Sequence, residues 1–207
     1  MADTQKYDRI LDALQQLMID KNMQSISVSD IAAKAGIGKG SIYYYFPSKE
    51  AILDALIRRN YEAPLQTAKN LADQTEIPPF TRMAMLFQAC RSSAAAFLTQ
   101  KDKKSRAISQ QESAYLHQKY LNYLISELKP NLAKIIRQGI ATGEIRFDYP
   151  EALAEIVLIV LGVKLNNTFL STTPEDCEYT IKGLVSLLEQ GTGVPEGTLN
   201  YLNAVEP

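Results

Sequence analysis

Apolar residues recur at helical spacing along nearly the whole chain, and no alternating strand pattern competes with them. Tyr7, Ile10, Leu11, Leu14, Leu17 and Met18 mark an amphipathic first helix. Ser27 followed three residues on by Asp30 is a variant capping box that starts a second, short helix with Ile31, Ala32 and Ala35 inward. Gly36 stops it, as a residue tolerant of the left-handed conformation does. Gly38 is the expected cap of a third helix from Lys39 to Phe46, which Pro47 ends. Ser48 caps a fourth, longer helix that begins with Lys49 and Glu50 and continues past Pro64, a possible kink, toward Leu71.

Residues 73–80 read as a loop, and residues 80–192 as helical. One helix spans about Phe80 to Thr99, and a polar patch from Lys101 to Arg106 interrupts it. A short helix near Ser105 to Gln110 follows, then a long one from about Glu112 that Pro130 kinks or splits and Gly143 ends. Asp148 and Glu151 form a capping pair around Pro150 and open a helix reaching about Leu170 that is apolar on nearly all sides. Thr173, Pro174 and Asp176 repeat the start signal for a last main helix that stops at Gly191. The expected fold class is all-α: a three-helix helix-turn-helix domain over residues 1–50, then a helical domain over 51–207.

A helix-turn-helix places its second helix in the DNA major groove. At about 100° per residue, Ile42 and Phe46 share the inward face of that helix, while Gly40 and Tyr44 point away and Ser41 and Tyr43 flank them. An outward glycine lets a neighbour approach the backbone closely. An outward tyrosine offers a hydroxyl to a phosphate and a ring to a base methyl. Three consecutive tyrosines cannot share one face of a two-turn helix, so at least one is exposed or meets a partner. Tyr45 is read as structural, packing toward the first helix.

Charge adds little. Residues 31–49 carry Lys34, Lys39 and Lys49 and no acid, but residues 1–60 hold 8 Lys+Arg against 7 Asp+Glu, a net of +1. DNA binding would rest on a local cluster repeated by dimer symmetry. The net charge of −1 for the 207 residues gives no general affinity for nucleic acid.

At these residues the chain resembles the tetracycline-repressor (TetR) family of bacterial one-component regulators. The resemblance lies in Ile31-Ala32, Ala35-Gly36-Ile37, the run Lys39-Gly40-Ser41-Ile42-Tyr43-Tyr44-Tyr45-Phe46, and Ser48-Lys49-Glu50. It covers about residues 7–57. Gly38 departs from it, standing where the family usually has a serine or threonine that also touches a phosphate. The resemblance implies phosphate contacts from Lys39, Tyr43, Tyr44 and Lys49, base or sugar contacts from Gly40 and Ser41, and positions for Ser27 and Ser29 near the DNA backbone or a groove edge.

The all-round apolar helix calls for burial on every side, and a partner chain is the economical explanation. The resemblance implies the same, with the last two long helices forming a four-helix dimer interface. That assigns residues 152–170 and 175–190 to a homodimer, with Val157, Leu158, Leu161, Leu184 and Leu188 at the interface. Two recognition helices about one DNA turn apart, roughly 34–36 Å, would then match a palindromic operator in double-stranded DNA. Between these parts, Phe87, Phe97, Tyr115, His117, Tyr120 and Tyr123 are candidates for an apolar, aromatic pocket holding an unknown small-molecule effector. The bland reading is that these aromatics are core.

Nucleophilic triads, zinc signatures and phosphate loops do not occur, so no enzymatic activity, metal or cofactor is expected. Cys90 and Cys177 form no CxxC pair and read as buried thiols in a reducing cytosol. MADTQKYDRI has no apolar h-region, and the eight-residue apolar run Ile156 to Val163 is too short to span a membrane. The reading is a cytoplasmic, homodimeric transcription regulator, a repressor released by its ligand. The alternative is a non-sensing DNA-binding or interaction protein with a solid helical core.

Overall fold

The structure, a computed structural model, describes the backbone of residues 2–102, 110–165 and 173–202. Within these it describes the side chains except those of 2, 20, 91–102, 110–114, 117, 164–165 and 174. Eight described α-helices follow one another: α1 (Ala2–Asp20), α2 (Val28–Ala35), α3 (Lys39–Tyr45), α4 (Lys49–Asp73), α5 (Pro79–Asp102), α6 (Gln110–Ala141), α7 (Pro150–Leu165) and α8 (Pro174–Thr192). Short 3-10 turns at Met23–Ser25 and Asn200–Leu202 complete the described elements. No strand occurs among the described residues, and the fold is all-α. No described helix is long and apolar enough to cross a membrane.

The described residues form two compact units, one within residues 1–62 and 93–119, the other within 63–92 and 120–207. In the first, Ile10, Leu11 and Leu14 of α1 are fully buried with Ile31 of α2, Ile42 of α3 and Ile52, Leu53 and Leu56 of α4. Helices of seven or eight residues do not hold themselves in water, so this shared core carries α2 and α3. Each such side chain contributes roughly 1.5–3 kcal/mol on burial. Polar ties fix the frame: Arg59 of α4 pairs with Asp12 at 2.8 Å and donates to Gln15 at 3.0 Å, both on α1.

In the second unit, α4 ends against α5 and α6 through one buried cation. The Arg82 guanidinium, 2% exposed, donates to the Leu71 carbonyl at 3.4 Å and to the Gln138 side-chain oxygen. Gln138 in turn donates to the Ala72 carbonyl at 3.2 Å. Carbonyls of the last turn of α4 thus receive two side-chain donors beside the Gln74 N–H, which also donates to the Leu71 carbonyl at 3.3 Å, at a helix end where a positive charge is favoured. Gly139 of α6 and Gly162 of α7 mark tight packing: a Cβ at these positions would lie 2.6 Å from Ile145 Cδ1 and 2.5 Å from Leu121 Cδ2, respectively.

Several boundaries differ from those the spacing predicts. Pro64, buried, and Pro130, exposed, each sit inside a helix that continues through them despite the missing N–H. α5 runs on through Lys101 to Asp102; the expected short helix near 105–109 and the stretch 166–170 lie outside the described residues. The Asp148–Glu151 capping pair does not form. α7 starts at Pro150, and the Glu151 carboxylate takes Arg137 of α6 instead. The α8 start is as expected, with the Asp176 N–H donating to Thr173 Oγ1 at 3.2 Å. Beyond α8 the chain turns at Gly193 and packs Val194, Leu199 and Leu202 into the core, a segment the hydrophobic periodicity does not reveal.

Arg82→Ala leaves the Gln138 side-chain oxygen without this buried donor and removes one of the two donors to the Leu71 carbonyl. The expected loss is roughly 1–3 kcal/mol, read by chemical denaturation. A change within about 0.5 kcal/mol, typical of a surface site, would show that the bracket does not support the α4 terminus.

Candidate nucleic-acid interface

The capping box that opens α2 is complete. The Asp30 N–H donates to Ser27 Oγ at 3.1 Å, and the Ser27 N–H donates to Asp30 Oδ2 at 2.8 Å. The Ser27 hydroxyl also donates to Asp30 Oδ2 at 2.7 Å. These hydrogen bonds, the side-chain one foremost, hold the Asp30 carboxyl below its ordinary value, and Lys21 adds an ion pair at 3.6 Å. The Ser27 hydroxyl proton is therefore engaged inside the chain, while Ser29 stands exposed on the first turn.

At its other end α2 stops at Gly36, whose φ of 66° is left-handed. The Ile37 N–H donates to the Ala32 carbonyl at 3.1 Å, closing the helix end. Arg9 of α1 donates to the Ala35 carbonyl and lies so near that a Cβ on Gly36 would sit 2.9 Å from its Nη2. The turn into α3 is thus fixed by glycine conformation on one side and a guanidinium on the other.

α3 begins after Gly38, which caps it without a side-chain hydrogen bond. Ile42 and Phe46 are buried, and the Phe46 ring meets Tyr7 of α1 at 4.8 Å between centroids. Tyr45 turns to the first helix: its hydroxyl donates to the Asp3 carboxylate, which pushes the phenol up to about 12. The opposite face is open. Gly38, Lys39, Gly40 and Ser41 are exposed, Tyr43 is 50% exposed and Tyr44 77%. Lys39–Tyr43 and Gly40–Tyr44 are each four apart and form two parallel ridges along the helix. A Cβ on Gly40 would meet nothing within 4 Å, so the chain's own packing does not require glycine there.

Lys49 departs from the implied phosphate role. Its ammonium donates to the carbonyls of Met23 at 2.8 Å and Ile26 at 2.9 Å, with Gln24 at 3.5 Å. It caps the 3-10 turn before α2 and points into the chain. Neither this clamp nor the one made by Arg9 shows in the local pattern, because each spans more than twenty residues of sequence.

The expected ligand-pocket residues are divided between the two units. Phe97 and His117 lie outside the described side chains. Tyr115 is exposed in the first unit, with the Lys119 ammonium 5.7 Å from its ring centroid. Tyr120 is buried and Tyr123 half-buried in the second unit. Phe87 lines an apolar cavity of about 40 Å³ in that unit, with Met83, Leu132, Ile136, Val157, Leu188 and Leu199 among its walls. Among the described residues, no cluster of His, Cys, Asp and Glu could hold a metal ion.

The expected interface residues are largely covered within the single chain. Val157, Leu158, Leu161 and Leu184 are at most 7% exposed within a single chain, and Leu188 is half-buried against the cavity. They form the inward stripe of α7 and α8. The outward apolar residues are Ile156 and Ile159 on α7 and Tyr179 and Leu187 on α8.

Comparison with known proteins agrees with this geometry. Residues 10–56 match the family model for bacterial regulatory proteins of the tetR family. The HTH-type transcriptional regulator EthR of Mycobacterium tuberculosis is 44% identical over 68 residues, 31% of this chain and 32% of that protein. The chain thus aligns with about a third of the length of EthR. The HTH-type transcriptional repressor KstR2 of the same organism is 26% identical over 143 residues, 67% of this chain and 68% of that protein. Among solved structures, SmeT, the repressor of the Stenotrophomonas maltophilia multidrug efflux pump SmeDEF, superposes with a TM-score of 0.63 at 16% identity, covering 93% of this chain and 92% of its own. FadR of Bacillus subtilis, solved in complex with stearoyl-CoA, gives a TM-score of 0.56 at 21% identity over 89% of this chain and 98% of its own. The described chain shares the fold of these solved structures, and its residues 10–56 are similar to the bacterial regulatory proteins of the tetR family.

Proposed function

We propose that the chain is a sequence-specific DNA-binding transcriptional regulator that acts as a homodimer on a palindromic operator. The observation that carries this is the open face of α3. A short, rigidly braced helix presents a lysine, a serine, two tyrosines and a glycine whose missing side chain answers no need within the chain. Lys39 and Tyr43 are placed for phosphate contact, Gly40 and Ser41 for close approach to sugar or base, and Tyr44 for either. Ser29 flanks them at the start of α2.

Dimerisation is assigned to the outward faces of α7 and α8. Ile156, Ile159 and Leu187 are 50%, 43% and 72% exposed, with Ile156 and Ile159 one helical turn apart on α7. An isologous contact there would repeat the α3 face by two-fold symmetry. The regulator is read as a repressor released by a small molecule, as SmeT and KstR2 are repressors and FadR was solved with stearoyl-CoA. The tightness of the 40 Å³ cavity favours a second reading, a DNA-binding protein that senses nothing.

Gly40→Ala separates fold from function. The fold should hold, with up to about 1 kcal/mol of added stability from helix propensity. Operator affinity should fall at least about tenfold, or about 1.4 kcal/mol, as the methyl blocks close approach. Unchanged affinity would remove Gly40 from the interface. Lys39→Ala should weaken binding evenly across sequences and lower the slope of log affinity against log salt by about 1 per subunit. A slope equal to that of the parent protein contradicts the phosphate contact. Ile159→Glu should yield a folded monomer by sedimentation velocity, since the residue faces outward. A persisting dimer would place the interface elsewhere.

A further inference from the structure

We propose that Asp3 and Tyr45 are positioning residues for the Tyr44 ring, and that this ring reads the methyl group of a thymine in each operator half-site. The assignment rests on the reading of α3 as the helix that enters the major groove, and it names the base chemistry selected there.

The first turns of α1 grip the end of α3 at two points. Asp3 and Tyr7 stand four apart on α1 and so share one of its faces. The Tyr7 ring packs on Phe46 with 4.8 Å between centroids and 34° between planes. The Asp3 carboxylate accepts a hydrogen bond from the Tyr45 hydroxyl. That bond, foremost, pushes the phenol up to about 12, so the hydroxyl keeps its proton and remains a donor at neutral pH. The Tyr45 ring in turn meets the Tyr44 ring edge to face, with centroids 5.1 Å apart and planes at 85°. Tyr44 is thereby backed by its neighbour while it stays outward, 77% exposed. An exposed tyrosine without such backing loses rotamer freedom on binding, whereas one already held has less to lose.

The surroundings of Tyr44 decide what it reads. One turn earlier on its own ridge stands Gly40, where a Cβ would meet nothing within 4 Å. The ring therefore borders an open step in the helix surface. The parallel ridge carries the Lys39 ammonium and the Tyr43 hydroxyl, donors suited to phosphate. The Gly40–Tyr44 ridge carries no cation and offers an aromatic ring beside bare backbone. In the major groove the thymine methyl is the apolar mark, while the other base edges present donors and acceptors. A methyl seated in the open step is covered by the ring on one side and the helix backbone on the other. Its burial favours thymine over the same base without the methyl by about fourfold.

The test starts with selection of binding sequences from a random duplex library by the full-length protein. Each thymine of the enriched half-site is then replaced singly by deoxyuridine, which pairs alike and lacks only the methyl. One position is expected to lose about fourfold in affinity. Tyr44→Ala should abolish the preference for thymine at that position, and Tyr44→Phe, which keeps the ring, should retain it. Asp3→Ala and Tyr45→Phe should each lower the thymine-to-uracil ratio below about twofold. Asp3→Asn, which still accepts from the hydroxyl, should restore the ratio. Loss of the carboxylate's charge, or a merely structural role for Asp3, would change affinity for both duplexes alike and leave the ratio where it was. In the protein without DNA, Asp3→Ala should lower the titration midpoint of Tyr45 and weaken the nuclear Overhauser contact between the rings of Tyr44 and Tyr45. The proposal is overturned if no thymine of the half-site is sensitive to loss of its methyl, if Tyr44→Ala keeps the sensitivity, or if Asp3→Ala keeps both the ratio and the ring contact. Enrichment of no sequence at all would overturn the DNA-binding reading itself, and this assignment with it.

Discussion

Everything at the α3 surface depends on satisfying backbone carbonyls around two helices too short to stand alone. α2 has eight residues and α3 seven, below the length at which helices persist by their own hydrogen bonds. Hydrophobic burial holds them down but does not orient their ends. That orientation comes from long cations reaching across the fold: Arg9 from α1 to the end of α2, and Lys49 from α4 to the turn before it. With the Ser27–Asp30 box at the remaining end, both termini of α2 are fixed. α3 then has one direction in which it can leave the turn, and its outward residues follow from that direction.

The second unit uses the same device at a different scale. Arg82 and Gln138 hold the last turn of α4, the helix whose first turns pack in the first unit. A buried guanidinium is an expensive way to close a helix end, and an apolar residue cannot replace its donors. α7 shows the other economy of this unit. Its inward stripe, from Leu153 through Leu161, is an ordinary core face, while Ile156 and Ile159 leave a second apolar face outside.

Local signals in the sequence carried much of this. Ser27, Gly36, Pro47, Ser48 and Thr173 announce helix ends through short-range chemistry, and the structure has helix boundaries at or next to each. The outward set on α3 followed from helical angles alone, since Ile42 and Phe46 leave no other inward face. The fates of Lys49 and Arg9 were not legible, because a flexible side chain that bridges two distant segments leaves no periodic trace. The burial of Val157, Leu158, Leu161 and Leu184 within the chain was hidden for a related reason. A helix apolar on both sides has no stripe to say which side is the chain's own core. The packing of the segment after α8 escaped because a stretch with Gly193, Pro195 and Gly197 has no period to read.

The inward turn of Lys49 has a consequence for how the proposed regulator would find its site. With that ammonium and the Arg9 guanidinium engaged on carbonyls, Lys34 and Lys39 are the exposed cations left between residues 31 and 49. Affinity for arbitrary DNA comes almost entirely from such cations. A surface of tyrosine, serine and glycine with few charges would linger little on the wrong sequence, and the vast excess of competing genomic sites would titrate away little of the protein. Selectivity would then arise as much from weak retention elsewhere as from strong grip at the operator.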